Sequence, residues 1–156
     1  MKTKISIILA VMFISVFSIA TISGAQTMKH EGLKQADCMK IRLRINDKII
    51  TATMIDSKTT RDFISLLPLT LTMNDLFRRE KYAHLPKALS TEGARAHAYE
   101  VGEIVYWSPG PDVAIYYRQD DERIPAPGII VIGKIDSGVE FLNVAGSVKV
   151  TIELIK

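Results

Sequence analysis

MKIRLRINDKIITATM, residues 39–54, alternates apolar and polar side chains on both sides of an Asn-Asp pair. In the first half the apolar residues are Met39, Ile41, Leu43 and Ile45, and in the second half they are Ile50, Ala52 and Met54. A period of two predicts strands with one buried and one wet face, so the arginines at 42 and 44 should point outward. Asn46-Asp47 supplies the turn, and the stretch therefore predicts a β-hairpin.

Further segments of strand character follow the hairpin. They are residues 69–73, 80–85, 103–107, 113–117, 129–135 and 147–155. Asn74-Asp75 is expected to end the first of them, and residues 119–128 are expected to form an exposed loop. One short helix is predicted over residues 59–67, with Thr59 and Asp62 as a capping box and Pro68 as its stop. Many short strands with one helix indicate a mainly β domain, either a barrel or a sandwich.

The N-terminal segment has the pattern of a secretory signal peptide. Lys2 and Lys4 precede an apolar run over residues 5–22, and small residues flank the bond after Ala25. Cleavage there is the expectation, and an uncleaved membrane anchor is the alternative. Residues 26–38 are polar and are predicted to be a flexible leader to one domain over residues 39–156. The mature protein is thus expected to be exported, to the periplasm or beyond, without a membrane partner.

Charge and ligand-type residues exclude several classes of function. The chain has 20 basic and 17 acidic residues, and removal of residues 1–25 takes away two lysines and no acid. This near-balance, without a basic stripe, predicts no nucleic-acid partner.

Cys38 is the one cysteine, so a disulfide within the chain is excluded. Cys38, His84 and His97 are too widely spaced for a metal motif, and no glycine-rich phosphate loop is present, so neither metal nor cofactor is predicted.

Aromatic residues are the main candidates for a binding surface. In the pairs Tyr106-Trp107 and Tyr116-Tyr117, one ring should point inward and the other outward. The outward rings are suited to recognition, because Tyr and Trp dominate binding hot spots, although cross-strand packing is an alternative use. Glu80, Tyr82 and His84 would share one face of an extended strand. The candidate ligand-binding residues are Glu80, Tyr82, Tyr106, Trp107, Tyr117 and Arg118.

Three segments resemble a known family. They are GEIVYWSPG at residues 102–110, LPLTLTM at 67–73 followed by EKY at 80–82, and VIGKID at 131–136. In order and spacing they are similar to small bacterial proteins with a cyclophilin-like fold, of the Thermotoga type, and the likeness covers residues 39–155. The resemblance implies a closed β-barrel. It does not imply prolyl isomerase activity, because the Phe-His-Arg and Gln-Gly-Gly-Asp-Phe segments of enzymatic cyclophilins are absent.

The function expected from these features is binding rather than catalysis. A small ligand or an extended peptide would occupy a surface of the barrel. A weak peptidyl-prolyl isomerase is the first alternative, with an arginine such as Arg118 aimed at the proline nitrogen. A structural or oligomerising protein without a ligand is the second. The catalytic residues are left unassigned.

Overall fold

The computed structural model describes residues 39–155, which form an eight-stranded closed barrel with one α-helix. The elements are β1 (Lys40–Ile45), β2 (Lys48–Met54), α1 (Lys58–Ile64), β3 (Leu69–Leu76), β4 (Glu80–His84), β5 (Glu103–Trp107), β6 (Asp112–Tyr116), β7 (Ile130–Ile135), a 3₁₀ turn (Val139–Leu142) and β8 (Val148–Leu154). All neighbouring strands are antiparallel, in the order β1-β2-β7-β5-β6-β4-β3-β8, and β8 closes onto β1. The prediction of a mainly β, closed barrel is confirmed.

The opening hairpin has the predicted turn at Asn46-Asp47. Ile45 pairs with Lys48, and Asn46 occupies the left-handed region at a φ of 53°. The apolar residues of β1 are buried while Arg42 and Arg44 are exposed, as the alternation predicts. The predicted signal peptide and leader lie outside the described residues. Within residues 39–155, no helix is long and apolar enough to cross a membrane.

Helix α1 begins one residue earlier than the sequence pattern predicts. Its N-cap is Ser57, whose Oγ accepts a hydrogen bond from the backbone N–H of Thr60 at 3.1 Å. The prediction of Thr59 as the cap was wrong, because that side chain is fully buried and its hydroxyl donates to the carbonyl of Ser90 at 2.8 Å. The helix ends at Ile64 rather than residue 67. Phe63 faces the barrel interior and joins its core.

Strand β3 runs past the predicted break at Asn74-Asp75. Asp75 pairs with Lys81 across the β3–β4 hairpin, and its carboxylate accepts hydrogen bonds from the Lys81 Nζ at 2.7 Å and the Tyr117 hydroxyl at 2.6 Å. Because Asp75 has these partners, it belongs to the strand, although aspartate is typical of turns. The turn lies instead at Phe77-Arg78, both left-handed, with φ of 55° and 56°.

A second apolar cluster covers part of the outside of the barrel. Every residue of β6 is buried, because Val113 and Ile115 enter the interior while Ala114 and Tyr116 pack against a different set of residues. The loop over residues 119–128 is exposed for most of its length, as predicted. Ile124 and Gly128 are the exceptions, and Ile124 is buried within the outer cluster. The loop therefore forms a wall against the outer faces of β5 and β6.

Candidate functional site

An open cleft of about 430 Å³ lies on this outer face. It is called the outer cleft below. Its floor consists of alternate residues from three adjacent strands: Tyr82 and His84 from β4, Ala114 and Tyr116 from β6, and Val105 and Trp107 from β5. Residues two apart on a strand share one face, which is why these side chains meet. Ile124 and Pro125 of the loop form a wall, and the β3–β4 turn closes one end.

The middle of the outer cleft is apolar. Val105, Ala114 and Ile129 contribute aliphatic surface, and the ring of Tyr116 stacks on Tyr99 with centroids 3.8 Å apart. An apolar surface of this kind gains free energy when a ligand removes it from water. Polar groups beside such a surface orient a ligand more strongly than they would in bulk water, because the local dielectric is lower.

Arg79 dominates one end of the outer cleft. Its Nε donates to the Glu80 Oε1 at 3.3 Å and its Nη1 to the Asp120 Oδ2 at 3.1 Å. The guanidinium lies 5.0 Å from the ring centroid of Phe77 and 5.5 Å from that of Tyr99. Cation–π contacts and two carboxylates thus hold a rigid, forked cation at the edge of the cleft.

The pKa values of the two carboxyl groups around Arg79 are shifted in opposite directions. Burial raises the pKa of Glu80, and the neighbouring Arg79 offsets only part of this effect. The pKa of Asp120 is lowered, chiefly by the hydrogen bond that the Tyr99 hydroxyl donates at 2.5 Å. Arg79 therefore stabilises a buried carboxylate on one side and an accessible carboxylate on the other.

A histidine and an aspartate form the opposite end. The Nδ1 of His84 lies 2.8 Å from the carbonyl oxygen of Gly110 and also contacts the Oδ1 of Asp112. Both neighbours are acceptors, so the favourable tautomer carries the proton on Nδ1. Burial raises the pKa of Asp112, and His84 opposes the shift. Trp107 lies beside this pair.

Similarity to known sequences agrees with this architecture. A sequence model of the cyclophilin-like family matches residues 43–153. The chain belongs to the cyclophilin-like family. The resemblance of the sequence to this family is thereby confirmed. The matched range contains β2 to β7 in full, the second half of β1 and all of β8 except its last residue.

A solved structure is similar to this cyclophilin-like domain. It is the solution structure of the hypothetical protein AF2241 from Archaeoglobus fulgidus, which is 26% identical in sequence and has a TM-score of 0.63. The similarity covers 76% of this chain and 95% of the archaeal chain. No curated protein matches the sequence.

The cyclophilin-like barrel places five of the six predicted site residues in two groups. Glu80, Tyr82 and Trp107 all line the outer cleft. Tyr106 and Tyr117 belong to the interior core: the Tyr106 hydroxyl accepts from the Leu89 N–H at 3.1 Å. The prediction that each aromatic pair sends one ring inward and one outward is confirmed, with Trp107 and Tyr116 as the outward members.

Arg118 lies outside the group that lines the cleft. Its side chain is exposed, while its backbone N–H donates to the carbonyl of Arg79 at 3.2 Å. Arg79, which is not among the predicted site residues, is the arginine that lines the cleft. Tyr116 and Asp112 were also missed. Tyr116 lies two residues from Ala114 on the outward face of β6, but both faces of this strand are buried, so the period of two alone does not show which face is outward.

A second cavity, also about 430 Å³, lies at one end of the barrel. It is called the barrel-end cavity below. Asp75, Arg78 and Tyr117 line it together with residues 143–146. The amine of Lys81 lies close by, and it donates to the Asp75 carboxylate and to the carbonyls of Val144 and Gly146. These three acceptors match the three donors of an ammonium, so the lysine ties a loop to the barrel.

Proposed function

We propose that this cyclophilin-like domain is a binding module, and that the outer cleft holds its ligand. The ligand is a small molecule or short extended peptide with an apolar middle and a polar group at each end. The observation that carries the proposal is an open, ligand-sized cleft with an apolar floor between two polar ends. Arg79 and Glu80 form one end, and His84 and Asp112 form the other. The sequence pattern of residues 1–25 supports a site of action outside the cytoplasm.

The size and lining of the outer cleft support this reading. Small-molecule sites are usually concave, about 300–1,000 Å³ in volume, and mostly apolar with a few fixed polar groups. The cleft measures about 430 Å³ and has this composition. Arg79 and Glu80 are held by each other and by the loop that carries Asp120, so they require little ordering when a ligand arrives.

Trp107 gives the proposal a direct readout, because it is the single tryptophan of the chain. A library of capped tetrapeptides with varied middle residues can be titrated into the full chain while the tryptophan emission is followed. A saturable change, strongest for peptides with apolar middle residues, is expected. No saturable change with any member, together with unmoved amide resonances of the cleft residues, would contradict the binding module.

Filling the floor of the cleft should abolish binding. Ala114 is buried in the middle of the floor, and a leucine there occupies the space of the ligand. We expect Ala114→Leu to weaken the tightest tetrapeptide at least about tenfold, which corresponds to about 1.4 kcal/mol. Ala88→Leu, at an exposed residue outside the cleft, is the matched control and should bind normally. Equal affinities for the two variants would place the site elsewhere.

A prolyl isomerase is the second candidate, and the position of Arg79 favours it. A fixed guanidinium beside an apolar slot is the arrangement that stabilises a twisted X–Pro amide. Uncatalysed conversion takes tens of seconds or more, so acceleration is easily measured with a Pro-containing tetrapeptide. If the activity exists, Arg79→Lys should lose most of it while Arg118→Ala keeps it. A background rate for the unmodified protein would end this candidate and leave the binding module intact.

A further inference from the structure

The Asp112 end of the outer cleft holds a buried carboxyl group that has few partners. Only 9% of the residue is exposed. Its Oδ1 is shielded from solvent and, within residues 39–155, accepts no hydrogen bond of good geometry. A buried carboxylate oxygen left in this condition costs free energy, so it is a strong acceptor for any donor that reaches it.

The two carboxylates of the outer cleft differ in their partners. Glu80 is paired with Arg79. Among the described residues, Asp112 forms no ion pair with a lysine or arginine, and its one contact with an ionisable side chain is with His84. Burial raises the pKa of Asp112 despite that contact. The end of the cleft opposite Arg79 is therefore electrostatically suited to a cation.

His84 covers the carboxylate without being held in place by packing. Its side chain is 74% exposed, whereas that of Asp112 is 12% exposed. The Nδ1 of the ring lies within hydrogen-bond distance, 2.8 Å, of the carbonyl oxygen of Gly110. Rotation of this exposed ring removes little apolar contact, so a ligand can displace it at low cost.

We propose that the Asp112 end of the outer cleft binds an organic cation, an amine or guanidinium carried on an apolar body. The cation displaces His84 and pairs with the Asp112 carboxylate, while its apolar body packs on Trp107 and Tyr82. Aromatic faces beside a carboxylate attract a partly desolvated cation through both the ring quadrupole and the charge. This inference rests on the proposed function and specifies the ligand class of the same site.

Three probes with the same apolar body test the charge preference. They are 2-phenylethylamine, 2-phenylethanol and 3-phenylpropanoate, which present a cation, a neutral hydroxyl and an anion. Each is titrated into the full chain while the amide resonances of the cleft strands are followed. The amine is expected to bind at least about tenfold more tightly than the alcohol, a difference of about 1.4 kcal/mol. The propanoate should bind most weakly.

Two variants assign the preference to named residues. Asp112→Asn keeps the shape and removes the charge, so the amine and the alcohol should then bind within about twofold of each other. His84→Ala removes the group that competes for the carboxylate and should tighten the amine several-fold. That substitution is at an exposed residue, so folding is retained even if Asp112→Asn is unstable. Asp47→Asn, whose side chain is 80% exposed on the β1–β2 turn, is the control and should change nothing.

The outcomes separate this inference from the proposed function. Propanoate binding as tight as the amine, or a preference that survives in Asp112→Asn, would overturn the cation site. Amine and alcohol binding equally in the outer cleft would also overturn it, but would leave the binding module standing. If none of the three probes moved resonances of the cleft strands, the cation site would fall, and the tetrapeptide titration would decide whether the module falls with it.

Discussion

Replacing Lys81 by methionine is expected to lower the free energy of unfolding by about 3–5 kcal/mol, because it breaks a buried ion pair by removing one partner. The Lys81 side chain has no exposed surface, and its amine lies 2.7 Å from the Asp75 carboxylate. It also donates to the carbonyls of Val144 and Gly146, each at 2.6 Å. Methionine fills a similar volume but removes the cation that pairs with Asp75 and the donor to both carbonyls, while Asp75 keeps its hydrogen bonds from the Tyr117 hydroxyl and the Arg78 N–H.

Urea unfolding of the two proteins measures this loss. The transition midpoint of Lys81→Met should fall while the dependence on denaturant is unchanged, as expected when only stability changes. Lys149→Met is the matched control, because Lys149 is exposed on the outer face of β8; its effect should stay within about 0.5 kcal/mol. A loss below about 1 kcal/mol in Lys81→Met would show that the network contributes little.

Replacing Arg79 by leucine is expected to lower the free energy of unfolding by about 3 kcal/mol at pH 7. This is near the lower end of the range for a broken buried ion pair, because the Asp120 side chain is partly exposed to solvent. Glu80 would lose its cation while its own side chain remains 7% exposed. An uncompensated carboxylate in that environment is either charged at high cost or protonated. The loss should therefore depend on pH.

The direction of that dependence follows from the pKa of Glu80. In the folded protein this pKa is raised by burial, so proton binding favours folding at low pH, and that contribution is lost as the pH rises through the folded value. Without Arg79 the pKa rises further, which enlarges the penalty at neutral pH. Near pH 4, close to the ordinary pKa of about 4.3 for a glutamate, protonation removes most of the penalty. The difference between Arg79→Leu and the unmodified protein should narrow on acidification.

Denaturant unfolding at pH 7 and pH 4 tests both parts of this prediction. Arg118→Leu is the matched control, since Arg118 is exposed on the neighbouring loop, and it should show a small loss at either pH. A loss for Arg79→Leu that stays constant or grows on acidification would mean that Glu80 does not depend on Arg79 for its charge.

The barrel was predictable where one face of a strand meets water. Residues 39–54 alternate clearly, and their hairpin is found as expected. On β6 both faces are buried, so the sequence shows no polar alternation there to tell which member of Tyr116-Tyr117 faces outward. The period of two correctly predicted opposite directions for the two rings, but Tyr117, which lies inside, was chosen in place of Tyr116.

The burial and the partners of the charged residues Lys81 and Arg79 were the hardest features to predict. Lysine and arginine are usually exposed, so a fully buried Lys81 and a nearly buried Arg79 run against the ordinary expectation. Their partners are distant in sequence: Lys81 meets residues 144–146, and Arg79 meets Asp120. Barrel closure brings these segments together, and no local pattern encodes that. The Phe77-Arg78 turn was missed for a simpler reason, since it lacks the glycine or asparagine typical of left-handed positions.

A crystallographic screen of small amphipathic fragments tests the outer cleft most directly. The binding module predicts that bound fragments concentrate over Ala114, with apolar groups between Tyr116 and Trp107 and polar groups toward Arg79 or Asp112. Fragments found in the barrel-end cavity or scattered over the surface, with the outer cleft empty, would contradict the assignment of the site.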